Sequence, residues 1–159
     1  MKTEPGKKDS APVTGNLPVC AFIERCHLFK GLEPADLHRL FQVARLLAYT
    51  GGEIVFREGD LGEYLMLILS GTVCLTTMPP GKHSAVELAR LSRGVIIGEV
   101  SLISGQPRTC QVAAVDCVQI IAFANEEIRA LLPKYPRMSK LLGAMVAARV
   151  RSAIEKTIS

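Results

Sequence analysis

The chain has 159 residues, 48% hydrophobic, 21% charged and 5% aromatic, a composition that describes one globular domain with appended helices rather than two full domains. Its net charge of +4 sits at one end: residues 1–124 carry 12 Lys and Arg against 12 Asp and Glu, whereas residues 125–159 carry 7 against 3. The longest apolar stretches, such as residues 65–69, fall well short of the roughly 18 residues that span a bilayer, and the five cysteines are odd in number with no C-x-x-C pair, so neither a membrane span nor a disulfide framework is expected.

Residues 1–16 (MKTEPGKKDSAPVTGN) lack the apolar core of a secretory signal, which points to a reduced, cytoplasmic setting. With few large apolar side chains to offset the entropy of ordering, this segment reads as a mobile tail. A short helix is expected over residues 18–25 and a stronger one over 34–45. Pro34 suits a first helical position, and Leu37, Leu40, Phe41 and Ala44 recur at helical spacing as a core-facing stripe.

From Leu46 the pattern changes to short strands separated by turns. Nine of the thirteen glycines lie between Gly51 and Gly105, and no proline occurs from Ala35 through Met78. Strands are expected near 46–50, 53–57, 63–70, 72–78, 85–91, 95–97, 109–115 and 117–124. Eight short strands at this spacing predict a mainly β fold, a closed sandwich or jelly-roll-like β-roll with flanking helices. The run YLMLILS at 64–70 is apolar at successive positions, which predicts burial on both faces or a helix covering one of them.

At Asn125 the period switches back: Asn125 is placed to cap a helix with Glu126 and Glu127 in its first turn and Ile128, Leu131 and Leu132 on its apolar face. Pro133 and Pro136 break it, and a final helix is expected from about 137 to 158, with Leu142, Val146, Val150 and Ile154 four residues apart. That stripe is either a packing face against the roll or a seam for a homodimer. The predicted organisation is a tail over 1–16, the roll with its flanking helices over 17–135, and a C-terminal helix over 136–159.

The chemistry concentrates in GEVSLISGQPRT, residues 98–109. Gly98 permits close backbone approach to a ligand, and a short helix after it would turn unpaired N–H groups toward an anion. Arg108 can grip a phosphate through two N–H bonds, while Glu99 would repel phosphate but accept a bond from a sugar hydroxyl. A phosphate clamp beside a hydroxyl acceptor describes a nucleotide-like ligand. From residue chemistry alone, Glu99 and Arg108 pairing with each other as a structural salt bridge remains open.

The segment resembles the phosphate-binding cassette of the cyclic-nucleotide-binding domain family. Residues 52–60 (GEIVFREGD), 64–71 (YLMLILSG) and 28–32 (LFKGL) are similar to that family's first strands, turns and entry segment, in its order and spacing. The resemblance implies a β-roll of eight strands with N-terminal helices and C-terminal hinge and lid helices, and a ligand that is cyclic AMP or cyclic GMP with no further cofactor. Carried over by position, Glu99 and the Gly98 backbone hold the ribose 2'-hydroxyl. The resemblance further implies that Arg108 neutralises the cyclic phosphate and that backbone N–H groups of Ser101 and Thr109 complete the cradle, with Val100 in the same ligand-binding segment. Cys110 and Ser101 depart from the family's usual alanine or glycine but are small. Tyr135 is the only aromatic after Phe123, so no aromatic cap on the base is evident.

Other classes fit less well. His27, His38 and His83 are dispersed without the H-x-H spacing of a metal site on such a roll, and Cys110 is the only candidate nucleophile, with no base beside it; an enzyme is not expected. A DNA-reading helix-turn-helix would have to follow the final helix, where the sequence ends, so nucleic acid is not expected as a partner. Two readings remain: a stand-alone sensor that binds cyclic nucleotide and signals through a protein partner, and a non-catalytic interaction scaffold with a weak or silent pocket whose basic terminal helices dock an acidic partner.

Overall fold

A computed structural model describes residues 10–158. In chain order the elements are β1 (Ala11–Pro12), α1 (Leu17–Arg25), a 3-10 turn (His27–Phe29), α2 (Pro34–Val43), β2 (Arg45–Tyr49), β3 (Ile54–Phe56), β4 (Tyr64–Ser70), β5 (Val73–Thr77), β6 (Val86–Leu91), β7 (Ile96–Ile97), α3 (Glu99–Ser104), β8 (Gln111–Ala114), β9 (Val118–Ala124), α4 (Asn125–Leu131) and α5 (Pro136–Ile158). The strands form two antiparallel sheets, β1-β2-β9-β4-β7 and β3-β8-β5-β6, facing each other as a roll.

Strand alternation builds two cores at once. On β4, Met66 and Ile68 point into the roll, and Leu65 and Leu67 point out; on β9, Ile120 and Ala122 point in, and Ile121 and Phe123 out. Register pairs Leu67 with Ile121 and Ile68 with Ile120, so like faces match across the ladder. The inward set packs against Phe56, Val73, Leu75 and Val112 of the second sheet. The outward set is covered by Val19, Ile23, Leu28, Phe29, Leu40, Ile128, Met138 and Leu142 from the helices. Phe29 meets Phe123 edge to face, with centroids 5.1 Å apart. The apolar run at 64–70 is thus buried on both faces, one by the opposite sheet and one by helices.

Three expectations need correction. Residues 1–9 lie outside the described residues, but residues 10–16 are not a mobile tail. Ala11 and Pro12 pair with Leu46 and Arg45, Val13 is fully buried, and the Arg45 guanidinium donates to the Ser10 carbonyl at 2.9 Å. This adds a ninth strand among the described residues. The second helix ends at Val43, and Arg45 already belongs to β2, because its backbone pairs with Ala122 of β9. Asn125 does not cap α4: Ala124 stands at the cap without a side-chain bond, and Asn125 is buried as the first helical residue.

The prolines at 133 and 136 separate α4 from α5 as expected, and α5 runs 23 residues. Its first two turns are anchored by buried Met138 and Leu142, but the stripe then leaves the core, with Val150 and Ile154 about half exposed. The same helix crosses from the 3-10 turn past α3 and β6. Among the described residues, no helix is long and apolar enough to cross a membrane.

Candidate functional site

Gly98 opens the site. It stands at the N-cap of α3 with φ +93°, and a Cβ there would lie 2.7 Å from Arg108 Nη1 and 2.8 Å from the Tyr64 carbonyl oxygen, so both conformation and space require glycine. Glu99 follows in the first turn of α3, 1% exposed. A second left-handed glycine, Gly105 at φ +72°, ends the helix and lets the chain return through Pro107 to Arg108.

Arg108 is 3% exposed, which a guanidinium tolerates only when its donors are used. Its Nη2 donates to the Tyr64 carbonyl at 2.7 Å and Nη1 to the Gly98 carbonyl at 3.3 Å, and the plane stacks on Phe56 with the guanidinium carbon 4.1 Å from the ring centroid. Its backbone is fixed on both sides, by Arg108 N to the Asp60 carbonyl and Gly59 N to the Arg108 carbonyl, each 2.8 Å. Two carbonyls and a ring are thus among the contacts that hold the cation.

The salt bridge left open between Glu99 and Arg108 is not what forms. Glu99 Oε1 instead accepts from Arg149 Nε of α5 at 3.0 Å, and Arg149 Nη2 donates to the Ile96 carbonyl at 3.0 Å. Sequence reasoning missed Arg149. The signal was present, since Arg149 is the one charge in the run LLGAMVAARV at 141–150.

All six sequence-named residues, Gly98, Glu99, Val100, Ser101, Arg108 and Thr109, line one tight cavity of about 30 Å³ beneath Arg149. It continues past Val100, Thr109 and Cys110 into a larger space of about 370 Å³, bounded by Leu75 and Leu88 on the roll and by Val150 and Ile154 on α5. The tight end, which holds Arg108, Glu99 and Arg149, and the roomier apolar end share Val100, Thr109 and Cys110. This shape suits an anionic ligand with a flat, poorly hydrated portion. Ser101 is buried against Gly62, whereas Thr109 is exposed at the rim.

Burial pushes the Cys110 thiol up to about 11, so little of it is thiolate near neutral pH. No group of three His, Cys, Asp or Glu side chains gathers as a metal site among the described residues. The basic C-terminal segment is also less free than its charge implied. Arg129 bonds the Leu102 carbonyl, Lys134 bonds Glu33 and Asp36, Arg137 bonds the His27 carbonyl, and Arg149 bonds Glu99.

The profile of the family described as cyclic nucleotide-binding domain matches residues 46–135. The cyclic AMP receptor protein of Thermus thermophilus is 32% identical over 126 residues, which is 79% of this chain and 58% of that protein. A CRP-like cAMP-activated global transcriptional regulator of Mycobacterium tuberculosis is 25% identical over 130 residues, 81% of this chain and 57% of that one. The chain thus spans a little over half the length of these curated relatives. Among solved structures, the Thermus thermophilus catabolite activator protein superposes with a TM-score of 0.67 at 32% identity, covering 82% of this chain and 61% of that one. The regulatory domain of Toxoplasma gondii PKA with cAMP gives 0.72 at 21% identity, covering 81% and 48%, which speaks to the fold alone. With sheet order, cassette geometry and a profile match over more than half its length in agreement, the chain belongs to the cyclic nucleotide-binding domain family.

Proposed function

We propose that this domain binds a cyclic purine nucleotide, cyclic AMP or cyclic GMP, without catalysis, and that α5 passes the binding to a protein partner. The observation that carries this reading is the convergence of Glu99 and Arg108, both buried, on one pocket whose mouth is crossed by α5. In this reading Arg108 meets the cyclic phosphate with its Nη atoms, and backbone N–H groups of Ser101 and Thr109 add neutral donors. Glu99 accepts from the ribose hydroxyl, and the base lies in the larger space between Leu75 and Val150.

Glu99 is also the anchor of α5 through Arg149, so a sugar hydroxyl on that carboxylate changes the partner that Arg149 sees. A ligand shifts α5 only by as much as it binds one arrangement better than the other. The Glu99–Arg149 pair is where that difference would arise.

Isothermal titration with each nucleotide tests the reading. Micromolar binding to the wild type and its loss in Arg108→Ala are expected; an Arg108→Ala variant that binds as the wild type does would overturn the site. The same ion pair and the tight cationic end favour a second reading, a scaffold of this fold with a silent pocket. It predicts no heat with either nucleotide at millimolar ligand.

A further inference from the structure

The loop over residues 57–64 wraps Arg108 on its inner side through Gly59, Asp60 and Tyr64. Its outer side is gripped by the first residue of α4. Asn125 N donates to the Glu63 carbonyl at 2.8 Å, and Asn125 Nδ2 donates to the Gly62 carbonyl at 2.7 Å. Gly62 in turn presses directly on the site. A Cβ on it would lie 2.5 Å from Ser101 Cβ and 3.1 Å from the Arg108 guanidinium carbon, so Gly62 packs beside both with no room for a side chain between them.

One helical turn on, Arg129 Nε and Nη2 donate to the Leu102 carbonyl at 3.3 and 3.1 Å. That carbonyl is in the last turn of α3, where carbonyls have no helical partner. The single helix α4 therefore holds both walls of the pocket, the loop through Asn125 and α3 through Arg129.

Asn125 is a poor choice for packing alone. It is 3% exposed, and its Oδ1 has no hydrogen-bond partner, an arrangement that a leucine of similar shape would avoid. Its donor to Gly62 is what an apolar side chain could not supply.

We infer that Asn125 is a positioning residue for anion recognition, acting through Gly62 to set the Arg108 guanidinium, with Arg129 steadying α3 from the same helix. Since α4 leads into the 133–136 break and then α5, one short helix ties the phosphate end of the pocket to the segment that crosses its mouth. The inference deepens the proposed function, because it rests on Arg108 meeting the phosphate.

The test uses Asn125→Leu, which removes the donor together with the unpaired acceptor, and Asn125→Asp, which keeps the shape and removes the donor. Expected in Asn125→Leu is a melting temperature near that of the wild type and an affinity for cyclic AMP lowered about tenfold, the weight of one well-placed hydrogen bond. The Nε–H signal of Arg108 in the nitrogen–proton spectrum of the ligand-free protein should move in both variants, a readout that general loss of stability would not produce. Arg129→Gln should weaken binding further when combined with Asn125→Leu. An unmoved Arg108 signal in a folded variant overturns the positioning role, as does unchanged affinity. If the wild type binds no nucleotide, the proposed function fails, and the ligand-free Arg108 signal still decides the role of Asn125.

Discussion

Removing the Arg149 side chain tests whether α5 is held to the pocket by charge or only by the packing of its first turns. Arg149→Ala deletes the 3.0 Å bond to Glu99 and the 3.0 Å bond to the Ile96 carbonyl, and leaves a carboxylate that is 2% exposed without its counter-charge. Hydrogen bonds to charged groups contribute about 1.5–3 kcal/mol each, and orphaning a buried ion costs about 3–5 kcal/mol. The Arg149 side chain is a quarter exposed, so solvent screens part of this, and a loss of about 2–3 kcal/mol is expected. In a domain of this size that lowers the melting temperature by about 4–12 °C. Thermal unfolding followed by circular dichroism measures it, and hydrogen exchange should localise the loosening to the second half of α5. Adding Glu99→Gln to Arg149→Ala removes the orphaned charge and should recover at least half of the loss. A melting temperature within about 1 °C of wild type for Arg149→Ala, or no recovery in the double variant, would refute the latch.

Gly98→Ala forces a side chain into a left-handed conformation against the Tyr64 carbonyl. The backbone alone should cost at least about 1–2 kcal/mol in urea unfolding, with nucleotide binding lost in any folded fraction; a neutral variant would contradict the cradle geometry. Thiol labelling near pH 8, read by mass spectrometry, should modify exposed Cys117 first and Cys110 last, since burial holds the Cys110 thiol at about 11; equal rates would show the pocket open in solution. The raised Cys110 value also adds stability that is present below the unfolded thiol value of about 8.5 and is lost as pH rises toward 11, so Cys110→Ala should flatten the alkaline limb of the stability profile. Hydrogen bonds from Lys134 and Tyr135 hold the Asp36 carboxyl below its ordinary value, a contribution present above the unfolded value of about 3.9 and lost as pH falls through the lower folded one. Asp36→Asn should therefore flatten the acid limb, and an unchanged profile would remove that cluster from the account.

Much of the fold was legible because its signals are local. Glycine turns between short apolar runs located eight strands, and Pro34, Pro133 and Pro136 marked helix starts and breaks within a residue or two. The cassette was singled out by its resemblance to a family segment; residue chemistry alone left Glu99 and Arg108 open to pairing with each other, and only the fold shows that both line one pocket while Glu99 pairs with Arg149. What escaped was set by contacts far apart in the chain. Val13 is one apolar residue in a polar run, and only its place under α1 and α2 makes it core. Asn125 has the composition of a cap, yet the Gly62 carbonyl, 63 residues away, turns it inward. Arg149 lies 50 residues from Glu99, and no spacing rule joins them. The positive charge of the C-terminal helices left a docking surface open as one reading, because the carbonyls and carboxylates that engage four of its cations come from other elements.

The pairing of Ala11 and Pro12 with β2 bears on how the domain can be cut for laboratory use. The family match begins at residue 46, and a shortened version starting there, or at 17 where the helices begin, looks economical. Starting at 17 would strip Val13 from the helix-side core and uncover the outer edge of β2 at Arg45 and Leu46, lengthening the run of unpaired N–H and C=O groups along that edge. Starting at 46 would also remove Ile23, Phe29 and Leu40, leaving Leu65, Leu67, Ile121 and Phe123 covered only by side chains of α4 and α5 such as Ile128, Met138 and Leu142. The first shortened form should fold and then self-associate edge to edge; the second should aggregate through a partly uncovered apolar sheet face.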